Sequence, residues 1–301
     1  MDRNAYTQAN RVAWNEVTPI HQRERKVDLK EKFKKKGYST LDEAITTKFQ
    51  KLGIQGKPVA QLCCNNGRET LSLINLGAAS RVGFDISDAA IEEARGLAET
   101  SGLNCEFVRT DVYDIGEEYT DRFDLIYLSI GGIVWLPDLD AFFSIVRRLL
   151  KNHGLVVIYD SHPVTNILGA EGDEEFDPSN PLKPVFSYFR EEPWISNNGI
   201  DYIGKTSYKS ETMYSFTQPM SMVISGLGKM AFTCENCSNS LTIYRVYLVI
   251  SKGRQPFLCL IFWSEKNSAD SCFVDLNKNR DETKKISDGK TDVFLLTIAV
   301  Y

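Results

Sequence analysis

No stretch of this chain approaches the ~18 consecutive apolar residues of a membrane span. Its opening, MDRNAYTQANRVAW, is polar and has no apolar signal core. Both absences point to a cytoplasmic protein with no membrane partner. An excess of one charge is missing too: 35 Lys and Arg stand against 40 Asp and Glu, a net charge of −5. Nothing therefore draws the whole molecule toward nucleic acid. The one strongly charged stretch, residues 21–36, has a single aromatic, Phe33, among its lysines and reads as a solvated helix or loop. Cys234-Glu-Asn-Cys237 is a lone pair with no second pair at metal spacing, so no metal site is expected. The seven cysteines read as reduced thiols, mostly buried. A G-x-G-x-x-G loop and a P-loop lysine are also lacking, which weighs against a nicotinamide dinucleotide.

At 301 residues and 43% hydrophobic content, the chain can bury a substantial core. It is organised around Pro58 to Asp85. An apolar run, Val59 to Cys64, has strand length; the turn Asn65-Asn66-Gly67 follows. Leu71, Ile74 and Leu76 then recur at helical spacing up to Gly77, and a second apolar run, Arg81 to Phe84, ends in Asp85. Strand, turn, helix, strand and acid in this order open a nucleotide-binding α/β fold. Asp85 lies 18 residues beyond Gly67 (85 − 67), near the offset of about 20 at which such an acid reaches a ribose hydroxyl. With a single glycine in the loop, a nucleoside ligand without phosphates fits better than a dinucleotide, and S-adenosylmethionine is the common one. Its carboxylate suits a helix N-terminus.

The remaining elements follow from periodicity. Residues 4–16 share a helix face that Thr18-Pro19 is expected to end, and Tyr38 to Lys51 reads as a second helix. Ser87 is a good N-cap for the helix after Asp85. Strands are expected at Asn104 to Arg109, Phe123 to Ser129 and Leu155 to Tyr159, with an amphipathic helix from Leu139 to Leu150 stopped by Asn152 and Gly154. Residues 166–212 break the alternation. They read as an insertion over the cleft, with short antiparallel strands near 186–190 and 201–209. Met220 to Leu227 reads as a helix, Phe232 to Cys237 and Phe257 to Trp263 as the last strands, and 268–301 as a charged tail whose end, Asp292 to Tyr301, reads as an edge strand or a loosely anchored end.

The segments NRVAWNEVTPIHQ, QLCCNNGRETLSLINLGA, GFDISDAAIEEAR, FVRTDVYDI, FDLIYLSIGGIVWLPDL and YDSHP, in this order, resemble class I S-adenosylmethionine-dependent methyltransferases. More closely, they resemble a bacterial small-molecule-type group whose substrates are generally unassigned. The resemblance covers roughly residues 8–265. It implies an α/β, Rossmann-like, doubly wound seven-stranded sheet with a helical N-terminal cap and an insertion after the fifth strand. The expected divisions are 1–56 (cap), 57–165 (cofactor-binding core), 166–219 (insertion and substrate lid), 220–267 (last helix and strands) and 268–301 (tail). Two departures stand out. Gln61 occupies a first-strand position that usually holds an acid, and Cys63 and Asn65 replace the usual first two loop glycines. The Gln61 amide oxygen remains able to accept a hydrogen bond from the ligand's ammonium.

Carried onto this chain, the resemblance places Gln61, Cys63, Asn66 and Gly67 at the methionyl part of S-adenosyl-L-methionine, which leaves as S-adenosyl-L-homocysteine. Asp85 would take the ribose hydroxyls, Ile86 and Val112 the adenine faces, and Asp111 the adenine amino group. Ser129 and Ile130 would line the cleft near the sulfonium, with Trp14 and His21 closing over the cofactor. Trp135, Tyr188 and Trp194 are the expected substrate contacts. His162 is the expected catalytic residue, as general base or as an orienter of its loop. The implied activity is methyl transfer to an O or N nucleophile, less readily C, of a small molecule, by a monomer or homodimer. The alternative is a methyltransferase-like binding or scaffold protein without catalysis.

Overall fold

Val59, Ala60, Gln61 and Leu62 are all buried. Such a strand must be covered on both faces, as in a parallel sheet between helix layers. The computed structural model describes residues 2–170, 173–204 and 206–230, and the backbone of two strands at 232–239 and 245–252. The strands are β1 (Val59–Leu62), β2 (Arg81–Asp85), β3 (Glu106–Arg109), β4 (Phe123–Leu128), β5 (Leu150–Ser161), β6 (Trp194–Ser196), β7 (Met213–Ser215), β8 (Phe232–Asn239) and β9 (Arg245–Lys252). Among the described residues the main sheet has seven strands, in the order β3-β2-β1-β4-β5-β9-β8. β1 to β5 run parallel, and β9 is antiparallel to both β5 and β8. The strand order reverses between β1 and β4, which opens a crevice at the C-terminal strand ends.

The helices are α1 (Arg3–Glu24), α2 (Leu29–Phe33), α3 (Glu43–Lys51), α4 (Arg68–Asn75), α5 (Asp88–Ser101), α6 (Leu139–Leu149) and α7 (Met220–Lys229). On one face of the sheet α6 brings Phe142, Phe143, Val146 and Leu149 into a core with Ala60, Leu62, Phe84 and Ile126. Each of those rings stabilises the fold by roughly 2–3 kcal/mol through burial. On the other face Phe49 of α3 packs edge-on to Tyr127 at 5.1 Å. Ser87 caps α5 by accepting the backbone N–H of Ala90 at 3.2 Å.

Several expectations are corrected. α1 does not end at Thr18-Pro19 but continues to Glu24. An interior proline costs a helix about 3 kcal/mol; here Val17, Thr18 and His21 are buried on both sides of it, and the Thr18 hydroxyl donates to the Trp14 carbonyl at 2.8 Å. Burial outweighs the lost backbone bond. α3 starts at Glu43, because Asp42 caps it through the Ile45 N–H at 3.0 Å. Asn152 and Gly154 do not separate α6 from its strand: β5 begins at Leu150, directly after α6, and pairs at once with Phe123. His153, at φ 64°, absorbs the bend.

The short antiparallel pair of the insertion is β6 with β7, not 186–190 with 201–209. Buried Asn10 of α1 decides this. Its amide accepts from the Tyr214 N–H and donates to the Tyr214 carbonyl, each at 2.8 Å, as a neighbouring strand would. The strand beside β5 is Arg245–Lys252, a run to which the periodicity assigned nothing. The expected strand at Phe257 to Trp263 and the tail 268–301 lie outside the described residues.

Candidate active site

The loop after β1 takes three left-handed residues in alternation: Cys63 at φ 52°, Asn65 at φ 51° and Gly67 at φ 72°. Glycine adopts this region freely, asparagine tolerates it, and another side chain is strained by roughly 1–2 kcal/mol. The two substituted residues therefore keep the backbone path that glycines would give. Hydrogen bonds hold it there. Cys64 N–H donates to the Phe84 carbonyl at 3.0 Å, and Asn65 N–H donates to Asp85 Oδ2 at 2.7 Å. Gly67 cannot be replaced so easily, since a Cβ there would sit 2.4 Å from the Phe107 ring.

Asp85 also accepts the Ser87 N–H through Oδ1 at 2.9 Å. Burial raises its pKa, and the N–H groups of Ser87, Asn65 and Ile86 oppose that rise. Asp111, at the end of β3, is 6% exposed and accepts the Tyr113 N–H at 3.1 Å. Asp160, at the end of β5, accepts Gly131 N–H at 2.6 Å, Ile133 N–H at 3.0 Å and Ser161 N–H at 2.7 Å. It thereby shapes the loop after β4. At these three strand ends the following loop is thus fixed by the same device, an acid that accepts backbone N–H groups.

These strand ends open into a cavity of about 690 Å³. Of the residues expected at the cofactor, Trp14, Gln61, Cys63, Asn66, Asp85, Ile86, Asp111, Val112, Ser129 and Ile130 line it. Trp135 lines it too, its ring edge-on to Trp14 at 5.5 Å.

Five expected residues do not line it. Gly67 packs behind the loop against Phe107. His21 is 3% exposed and stands behind the segment 199–203, with Nε2 3.2 Å from the Ile200 carbonyl and its ring 4.3 Å from that of Tyr202. Burial lowers its pKa, against the pull of the Ile200 carbonyl and of Asp201. His162 caps the turn that follows it, Nδ1 accepting the Val164 N–H at 3.1 Å, and burial lowers its pKa. The Tyr188 hydroxyl accepts the Met220 N–H, and Trp194 Nε1 donates to the Thr217 hydroxyl under the Arg190 guanidinium. Both are local packing of the insertion.

The structure adds residues that the sequence reading missed. Gly199 to Ile203, Arg25, Arg68 and Glu69 line the cavity too. Arg25 arrives only because α1 runs past Pro19, and it pairs with Glu93 of α5. Asn66 donates to the same Glu93 oxygen at 3.1 Å. Among the described residues, Arg25 Nε and Glu93 Oε2 remain buried without a hydrogen-bond partner. Asp160 had a sequence signal, a strand-end acid equivalent to Asp85; Arg25, inside a charged run, had none. Cys63, Cys64 and Cys105 are free thiols whose pKa values burial pushes up, that of Cys105 to about 12.

This set of groups fits an adenosyl ligand. A fixed carboxylate stands at the end of β2, apolar Ile86 and Val112 flank the next position, and charges of both signs lie at the loop. Residues 59–154 match the family model described as a methyltransferase domain. An uncharacterized methyltransferase of Synechocystis sp. is 30% identical over 139 residues, 43% of this chain and 62% of that protein. The rRNA N(6)-adenosine-methyltransferase METTL5 of Danio rerio is 38% identical over 77 residues, 25% of this chain and 37% of that protein. The chain thus spans less than two thirds of the length of these relatives. The crystal structure of magnesium protoporphyrin IX methyltransferase from Synechocystis PCC 6803 with bound SAH shares the fold, with TM-score 0.53 at 14% identity over 82% of this chain and 99% of that one. Residues 59–154 thus match a methyltransferase-domain model, on a fold shared with solved S-adenosylmethionine-dependent methyltransferases.

Proposed function

We propose that the protein moves a methyl group from S-adenosylmethionine to an O or N nucleophile, less readily C, of a small molecule by in-line displacement. One observation carries this reading. The loop with three left-handed residues and the immobilised Asp85 meet in one cavity at the strand-order reversal.

The cofactor, when bound, supplies a methyl on a sulfonium already activated for displacement. The chain's own contribution is then binding, orientation and exclusion of water. Asp85 would hold the ribose, Ile86 and Val112 the adenine faces, and Asp111 the adenine amino group. Cys63 and Asn66 would lie along the methionyl part, and Ser129 and Ile130 beside the sulfonium. Trp14 and Trp135 would form an apolar wall near the acceptor. In this reading residues 1–56 act as a cap and 166–219 as a lid. Residues 199–203 and, from the first helix, Thr7, Asn10 and Trp14 line the cavity, which supports an acceptor that fits between them. His162 is left out of the proposed machinery because it does not reach the cavity lining.

Calorimetry with S-adenosylhomocysteine, with Asp85→Ala as control, tests the cofactor. Transfer of labelled methyl to a metabolite panel and, in parallel, to total RNA tests the acceptor. Labelled RNA without labelled metabolite would overturn the small-molecule reading. Binding with no transfer to either would leave a methyltransferase-like binding protein.

A further inference from the structure

Gln61 stands where the resemblance places an acid, and its neutral amide is already engaged by three protein groups. Its nitrogen donates to Glu69 Oε2 at 3.2 Å and to the Ser129 hydroxyl at 3.0 Å; its oxygen accepts from the Thr70 hydroxyl at 2.6 Å. The orientation is set by the carboxylate, which only the nitrogen end can face. The amide oxygen already serves Thr70, and as a neutral group the amide supplies no counter-charge to a ligand's ammonium.

The acid is nevertheless present, on the next element. Glu69 is the second residue of α4 and lines the cavity. Two buried donors hold it, Gln61 Nε2 and the Tyr127 hydroxyl. Gln61 and Tyr127 are register partners on β1 and β4, so the sheet itself sets the carboxylate's position. Beside it Arg68 also lines the cavity. Among the described residues neither Arg68 nor Glu69 takes part in an ion pair, whereas Arg25, the other cation of the lining, is already joined to Glu93. Two opposite charges at the mouth of one loop, adjacent but unpaired, match the two charges of an α-amino acid head group.

We propose that Arg68 and Glu69 are the head-group clamp of this site, Glu69 taking the α-ammonium and Arg68 the α-carboxylate of the methionyl moiety. The counter-charge has moved eight residues along the chain, from β1 to α4, and Gln61 has become its positioning residue. This rests on the adenosyl reading above and adds the specificity for a ligand that keeps its amino acid.

The test compares S-adenosylhomocysteine with 5′-methylthioadenosine, which has the same adenosine and thioether but no amino acid, by calorimetry on the full chain. The wild type should prefer S-adenosylhomocysteine by roughly tenfold or more, as expected for charge-assisted hydrogen bonds. Glu69→Gln and Arg68→Gln should each lower that affinity roughly tenfold and leave methylthioadenosine within about twofold. Unchanged methylthioadenosine binding also reports that the variants are folded. The clamp is overturned if the wild type binds both compounds equally, if both weaken together, or if S-adenosylhomocysteine binding does not move. A wild type that binds no adenosyl compound overturns the proposed function and the clamp with it.

Discussion

The Asp160 carboxylate receives the backbone N–H of Gly131 at 2.6 Å across the gap between β5 and the loop after β4. The same side chain accepts the Ile133 and Ser161 N–H groups. Asp160→Ala would leave these donors without that acceptor. Three charge-assisted bonds lost and a buried donor unsatisfied predict a destabilisation of about 3 kcal/mol, read as a lower urea midpoint. Because Gly131 and Gly132 line the cavity, adenosyl binding should weaken in step. Asp160→Asn, which keeps one acceptor oxygen, should lie between.

Asp85→Ala should act on the ligand and on the loop together. The carboxylate that would take the ribose also anchors Asn65 and Ser87. Loss of two charge-assisted bonds to the ligand predicts S-adenosylhomocysteine affinity lower by roughly 100-fold. Calorimetry at a temperature well below the variant's melting point checks it.

Gly67→Ala should be among the most destabilising single changes in the core. The new methyl would lie 2.4 Å from Phe107 and 2.9 Å from Ala94, on a residue at φ 72°. Left-handed strain and overpacking sum to about 3 kcal/mol. Chemical denaturation measures it, and Phe107→Leu in the same chain should restore part of the loss.

Arg11 ties α1 to α5 through Asp88, at 2.8 Å. Its hydrogen bond, against a smaller cost of burial, lowers the Asp88 pKa from 3.8 to about 2. A carboxylate depressed in the folded state stabilises it above the unfolded value, and that contribution is lost as pH falls from 3.8 through about 2. Asp88 is 46% exposed, so the contribution stays below about 1 kcal/mol. Arg11→Leu should therefore be slightly less stable than wild type near neutral pH, with the difference closing in acid denaturation below the Asp88 pKa.

His162→Ala should leave adenosyl binding unchanged and cost at most about 1 kcal/mol, the value of one turn-capping bond. Calorimetry and urea denaturation on the same preparation check both halves. A loss of binding would return His162 to the site.

Strand, turn, helix, strand and acid from Val59 to Asp85 were legible in the sequence because each signal is local. An apolar run of strand length, turn residues, a helical period and a terminal acid can be read without knowing what lies opposite. The same holds for Asp111 and for the Ser87 cap. The strand at Arg245–Lys252 was missed, and β5 was shortened to its apolar centre. In both cases pairing with a neighbour, not the local pattern, sets the extent of the strand.

The amino-acid order alone determined the parallel core and the acid that ends β2, since these follow from short-range pattern. It did not determine that α1 survives Pro19, that Arg25 reaches Glu93, that residues 199–203 line the cavity, or that Gln61 holds the Glu69 carboxylate there. Those were decided by contacts between residues far apart in the chain, where burial and hydrogen-bond satisfaction outweigh local propensity. The chemistry of a site is such a contact: it exists only once the sheet has set Gln61 beside Tyr127 and turned both toward one carboxylate.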